Sequence, residues 1–114
     1  MCYRIEKEIK LNNGIYIPSI GFGTSLITGD ECIENIKTAI EVGYRHIDTA
    51  SAYKNEIEIG KAIKQSKIDR KELFITSKVW KDSMGYENTI KSFNKLSHIF
   101  CTLSIMRFKK QRED

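Results

Sequence analysis

The sequence predicts an α/β chain organised around a parallel sheet, and three observations carry that prediction. Short runs rich in β-formers, such as Leu73–Trp80, alternate with segments whose apolar residues recur at helical spacing, such as Ile33, Ile36, Ala39 and Ile40. After an opening hairpin the order is strand, helix, strand, helix, strand, helix, which is the pattern of βαβ units. The chain has 114 residues, 40% apolar and 30% charged, a composition that suits one small globular domain and not a disordered chain.

The elements follow in order. Glu8-Ile9-Lys10-Leu11 alternates polar and apolar residues, Asn12-Asn13-Gly14 supplies a turn because Asn and Gly tolerate positive φ, and Ile15-Tyr16-Ile17 returns before Pro18, the only proline. This hairpin is too small to own a core, so it is expected to cover something larger. Ile20-Gly21-Phe22-Gly23-Thr24 reads as a buried strand approached closely at its glycines. The Gly21-x-Gly23 pair lacks the third glycine of a dinucleotide fingerprint, since position 26 is Leu26. Thr28-Gly29-Asp30-Glu31 has capping-box spacing, with Thr28 or Asp30 as the expected cap, and Gly43 stands where a left-handed helix stop belongs. Tyr44–Asp48 reads as a short strand, and a second helix follows over Tyr53–Lys64 with Ile57, Ile59, Ala62 and Ile63 as its apolar content. Asp69–Glu72 is a turn, Leu73–Trp80 the clearest strand, and a third helix starts near Tyr86 carrying Ile90, Phe93 and Leu96. A fourth strand fits Thr102–Phe108.

Several classes of function are disfavoured. No stretch approaches the roughly 20 apolar residues of a membrane span. Met1–Glu8 lacks the apolar core of a signal peptide, so the expected location is cytoplasmic. Cys2, Cys32 and Cys101 are an odd number at wide spacing, which suits a reduced protein. With no Cys-x-x-Cys pair, and with His46 and His98 the only histidines, no metal site is expected; His98-Ile99-Phe100-Cys101 offers two of four ligands at most. The net charge of +4 is spread along the chain except for Arg107, Lys109, Lys110 and Arg112 near the end. Phe108 is the only aromatic among them and no nucleic-acid motif accompanies them, so a solvated basic tail is the reading and nucleic acid is not an expected partner.

Three polar residues fall where a parallel α/β fold places its active site, at or just beyond the carboxyl ends of strands. Asp48 ends the second strand, Tyr53 follows it, and Lys78 lies near the end of the third. A carboxylate holds a lysine charged, and a positive charge beside a phenol favours release of its proton to a developing alkoxide. Each residue also has a plain structural reading: Asp48 as a helix cap, Lys78 as its ion-pair partner, Tyr53 as a packing ring.

Gly43-Tyr44-Arg45-His46-Ile47-Asp48-Thr49-Ala50, then Tyr53-Lys54-Asn55-Glu56, then Gly60-Lys61-Ala62-Ile63 closely resembles the aldo-keto reductase family. Ile20–Thr24 resembles that family's first barrel strand and Leu73–Trp80 its third, and the blocks run in the right order from about Leu11 to Leu96. The resemblance implies the N-terminal part of a (β/α)8 TIM barrel preceded by a β-hairpin, and NADPH-dependent reduction of small aldehydes and ketones. By the same resemblance Tyr53 is the proton donor assisted by Lys78 and Asp48, Gly23, Thr24 and Asp48 lie near the cofactor, and Trp80 lines the substrate pocket.

The match is expected to cover residues 1–96 and to leave 97–114 as a non-matching basic tail. That tail has no Asp-Tyr-Ile-Asp segment and no His-x-Pro, so the family's fourth catalytic residue, a histidine, is not assigned; His98 comes too early. Ser25 stands where many members carry a tryptophan. A complete barrel takes about 250 residues. The expectation is therefore an incomplete barrel from a truncated or frameshifted reading frame, inactive or weak alone, with doubtful NADPH binding and with open sheet edges that invite self-association.

Overall fold

A computed structural model describes residues 7–100 and the backbone of residues 105–108. The expectations that rest on Cys2, Cys101 and the basic side chains from Arg107 to Arg112 lie outside the described residues. The elements are β1 (Glu8–Lys10), β2 (Tyr16–Pro18), β3 (Phe22–Gly23), α1 (Gly29–Val42), β4 (His46–Asp48), α2 (Glu56–Ser66), β5 (Phe74–Val79), α3 (Tyr86–Phe100) and β6 (Ile105–Phe108). β1 and β2 form an antiparallel hairpin with Ile9 opposite Ile17. The remaining strands form one parallel sheet in the order β3-β4-β5-β6. Each new strand adds at the same edge, which is the winding of a βα barrel, and the sheet is open among the described residues.

Local chemistry explains most boundaries. The hairpin turns where Gly14 takes φ +85° and the Asn13 side chain accepts a hydrogen bond from the Ile15 N–H. α1 stops at Gly43, whose φ of 116° is left-handed. The Gly43 and Tyr44 N–H groups then return to the Ile40 and Ala39 carbonyls, closing a Schellman motif. Arg45 is buried and donates from Nη1 to the same Ile40 carbonyl at 2.8 Å, giving that oxygen a second donor at the helix end.

One face of the sheet carries the core. Ile47 of β4 and Ile75 of β5 pack with Ile36 and Ile40 of α1, Ile59 and Ala62 of α2, and Leu96 and Phe100 of α3. Cys32 is buried in the same cluster; burial first and Glu58 second push its thiol above the usual value, which makes it a packing group. Because side chains alternate across a strand, His46, Asp48, Phe74, Thr76 and Lys78 fall on the opposite face. His46 Nε2 and Thr76 Oγ1 are 2.8 Å apart there, and the His46 ring meets Phe74 edge-on.

Several expectations need correction. Ile20–Thr24 is not a buried strand: β3 is two residues long, Ile20 is 50% exposed, and only Thr24 is fully buried. Among the described residues β3 is an edge strand, so no strand pairs with its outer flank. The close approach does occur at Gly21, where an added Cβ would lie 2.9 Å from His46 Nδ1. Thr28 takes the cap position of α1 without a side-chain cap, and Asp30 is inside the helix. The second helix starts at Glu56 and not at Tyr53, because Ser51–Tyr53 is a 3-10 turn and Lys54 is left-handed at φ 54°. Ile57 is 57% exposed, since at ~100° per residue it stands on the far side of α2 from Ile59. Ile90 and Phe93 are also largely exposed; only the C-terminal half of α3 reaches the core. α3 runs unbroken past position 97 to the buried Phe100.

Candidate active site

The carboxyl ends of β4 and β5 bring three polar side chains together. Asp48 pairs with Thr76 across the sheet, so Lys78 lies two residues further along β5 on the same face and its long stem reaches back. Lys78 Nζ donates to Asp48 Oδ2 at 3.0 Å and to the Thr49 carbonyl at 3.1 Å. The same ammonium lies 5.3 Å from the centroid of the Tyr53 ring. The Lys78 side chain is 12% exposed and the Asp48 side chain 33%, so water screens this pair only in part. Tyr53 is half-buried in the 3-10 turn after β4, and that turn is held to β5 by Ser51, whose hydroxyl donates to the Lys78 carbonyl at 3.3 Å.

The positions expected near a cofactor differ in character. Gly23 is exposed and pairs with Asp48 in the sheet, and a Cβ added there meets nothing within 4 Å. Thr24 is fully buried, and both its N–H and its hydroxyl donate to the Asp48 carbonyl, at 3.2 and 3.1 Å. Trp80 is half-buried just past β5, where its carbonyl accepts from the Ser83 N–H at 2.9 Å. His98 is exposed on α3, in the helix layer. Among the described residues no group of three or more His, Cys, Asp and Glu could hold a metal ion, and no helix is long and apolar enough to cross a membrane.

Two features favour a ligand at this end of the sheet. Asp48 Oδ1 is buried and has no hydrogen-bond partner among the described residues, although its twin oxygen is held by Lys78. A buried acceptor of this kind costs free energy until a donor reaches it. The open space over Gly23, one strand away, gives a flat group access to the backbone. A ligand carrying a hydrogen-bond donor would satisfy the Asp48 oxygen.

Sequence reasoning missed Asn55. It sits at the N-terminal boundary of α2, where an asparagine is expected to cap the helix, yet it makes no cap. Fully buried, it donates from Nδ2 to the Thr24 carbonyl at 2.6 Å and to the Ile27 carbonyl at 2.9 Å, and its Oδ1 accepts from the Thr49 hydroxyl at 3.2 Å. It thereby ties the loop after β3 to the loop after β4, the two loops that flank Asp48.

The model of the Aldo/keto reductase family matches residues 19–102. Glyoxal reductase of Bacillus subtilis (strain 168) is 48% identical over 92 residues, covering 80% of this chain and 33% of that protein. The crystal structure of MGS-M4, an aldo-keto reductase from a Medee basin deep-sea metagenome library, superposes with a TM-score of 0.85 at 39% identity, over 92% of this chain and 39% of that one. A Bombyx mori aldo-keto reductase in complex with NADP superposes with a TM-score of 0.75 at 32% identity, over 85% and 35%. The fold is thus the N-terminal part of a (β/α)8 barrel preceded by a β-hairpin. The chain spans about a third of the length of the relatives it matches.

Proposed function

The chain belongs to the aldo/keto reductase family, and from that membership we propose that it carries the proton-donating part of an NADPH-dependent carbonyl reductase. A reduced nicotinamide, when bound, supplies the hydride that reduces the carbonyl carbon. Tyr53 gives its phenolic proton to the carbonyl oxygen as negative charge develops there. Lys78 favours that transfer by placing a positive charge against the phenol ring, and Asp48 holds the lysine in place. The unpartnered Asp48 Oδ1 and the open face of Gly23 would hold the cofactor, while Thr24 acts through the main chain of Asp48. Trp80 would line the carbonyl pocket. A small aldehyde or ketone is the substrate class, in keeping with the name of the glyoxal reductase it resembles.

The observation that carries this reading is the single ammonium shared by Asp48, the Thr49 carbonyl and the Tyr53 ring. Alone, this share of the barrel is expected to reduce carbonyls weakly or not at all. A second reading rests on the open sheet: a non-catalytic remnant, or a half-barrel that works only in association with another chain. Isothermal titration of NADPH into the purified chain, with sedimentation of the same sample, separates the two. Saturable one-site binding by a defined species supports the reductase reading. Reduction of glyoxal by that species should then fall about 100- to 10,000-fold in Tyr53→Phe. Absence of binding sinks it and leaves the family name as a statement of descent.

A further inference from the structure

A second polar cavity lies in the helix layer, apart from the Tyr53–Lys78 pair. It has a volume of about 320 Å³ and is walled by Ser51 and Glu56 on one side and by Ser83, Asn88, Lys91 and Lys95 on the other. That is the low end of ligand-sized pockets. Glu56 opens α2 and is 8% exposed, and its Oε2 is buried with no hydrogen-bond partner among the described residues. Burial raises its carboxyl to about 7, with the Lys95 charge pulling weakly the other way. Lys95 forms no ion pair with it. The charged groups facing Glu56 across the cavity are Lys91 and Lys95 of α3, whereas Lys81, Asp82 and Lys54 of the adjoining turns stay exposed outside the lining.

A neutral carboxylic acid in a cavity needs an acceptor for its O–H, and two ammonium groups need negative charge. A cation would meet both lysines. We propose that this cavity binds a small oxyanion, of the carboxylate or phosphate type, which hydrogen-bonds the Glu56 carboxyl group and is countered by Lys91 and Lys95. Ser83 and Asn88 add neutral donors around it. Binding then carries a proton: ionised Glu56 repels the anion, and the bound anion holds the proton on Glu56.

The test is calorimetric titration of the chain with sulfate, whose charge is constant over the range used, and separately with acetate, corrected for its small neutral fraction at the lower pH. If only protonated Glu56 binds, affinity should fall about thirtyfold between about pH 5.5 and about pH 8.5. Near neutral pH the measured heat should vary with the ionisation enthalpy of the buffer. Glu56→Gln cannot ionise and should bind equally at both pH values, and Lys95→Ala should bind about tenfold more weakly than the parent chain. Preference for sulfate points to a phosphate-type ligand, preference for acetate to a carboxylate. Absence of saturable binding at the lower pH, binding that ignores pH in the parent chain, or indifference to Lys95→Ala overturns the proposal. Should Glu56→Gln fail to fold, the buffer dependence of the heat in the parent chain still decides it.

Discussion

Asn55 and Glu56 are neighbours in sequence and opposite in their fate. Asn55 satisfies three groups from two loops, and Glu56 leaves an oxygen unsatisfied. Removing the Asn55 amide strands the Ile27 carbonyl and the Thr49 hydroxyl and leaves the Thr24 carbonyl with only the Ile27 N–H at 3.5 Å. Asn55→Ala should therefore cost about 2–4 kcal/mol in urea unfolding, and a loss below half that would show that water replaces the amide. Glu56 works through pH. Its folded value of about 7 lies above the 4.5 of an unperturbed glutamate. The unfolded chain therefore loses that proton first. Stability is full below about 4.5 and declines as pH rises through about 7. The whole shift is at most about 3 kcal/mol, less whatever water reaching the carboxyl through the cavity returns. The urea midpoint should fall over that window in the parent chain and stay flat in Glu56→Gln; parallel curves would refute the assignment. Neither role could be read from the sequence. The grouping of Asp48, Tyr53 and Lys78 was legible because strand ends converge in a parallel fold. The duties of Asn55 and Glu56 depend on carbonyls and lysines about 30 to 40 positions away along the chain.

At the scale of elements, the signals that proved legible are those with a local cause. Gly43 ends α1 because a left-handed residue is needed there, and Asn13-Gly14 turns the hairpin for the same reason. Burial of β3, and of Ile57, Ile90 and Phe93, was misread because it depends on what packs against an element, which periodicity does not encode. Gly60 illustrates the point. In an isolated helix, alanine at this position of α2 would gain about 1 kcal/mol. Here an added Cβ would stand 3.1 Å from both the Ile99 Cγ2 and the Ile99 carbonyl oxygen of α3. The methyl can swing aside. The carbonyl moves only if α3 moves, and Leu96 and Phe100 anchor that helix in the core. Gly60→Ala should thus destabilise by about 1 kcal/mol net. An increase in the urea midpoint would show that α3 is free to shift, and that its docking on α2 is looser than its buried anchors imply.

At the scale of the whole molecule, the sheet is open among the described residues, and an open sheet invites association. β3 and β6 flank the parallel sheet, and each offers backbone donors and acceptors on its outer side. β3 is two residues long and makes a poor template, whereas β6 runs over four residues, Ile105–Phe108. Surface apolar groups add to the drive: Ile9, Ile15, Tyr16 and Ile20 of the hairpin region are all at least half exposed. A barrel of this kind closes with eight strands, and this sheet has four among the described residues. Two sheets meeting β3 to β6 at both seams would supply the count. Association through edges makes stability depend on mass action, because a partner that binds only the folded form stabilises it as its concentration rises. The sedimentation coefficient and the midpoint of thermal unfolding should therefore rise together between micromolar and high micromolar chain. Raised salt should leave the association intact, since backbone pairing and apolar contact are not screened as ion pairs are. A monomer whose midpoint ignores concentration would refute edge association and show that the exposed edges of this sheet are tolerated in water. Assembly that dissolves in salt would assign it instead to ion pairs between copies of the chain, and the sheet edges would have no part in it.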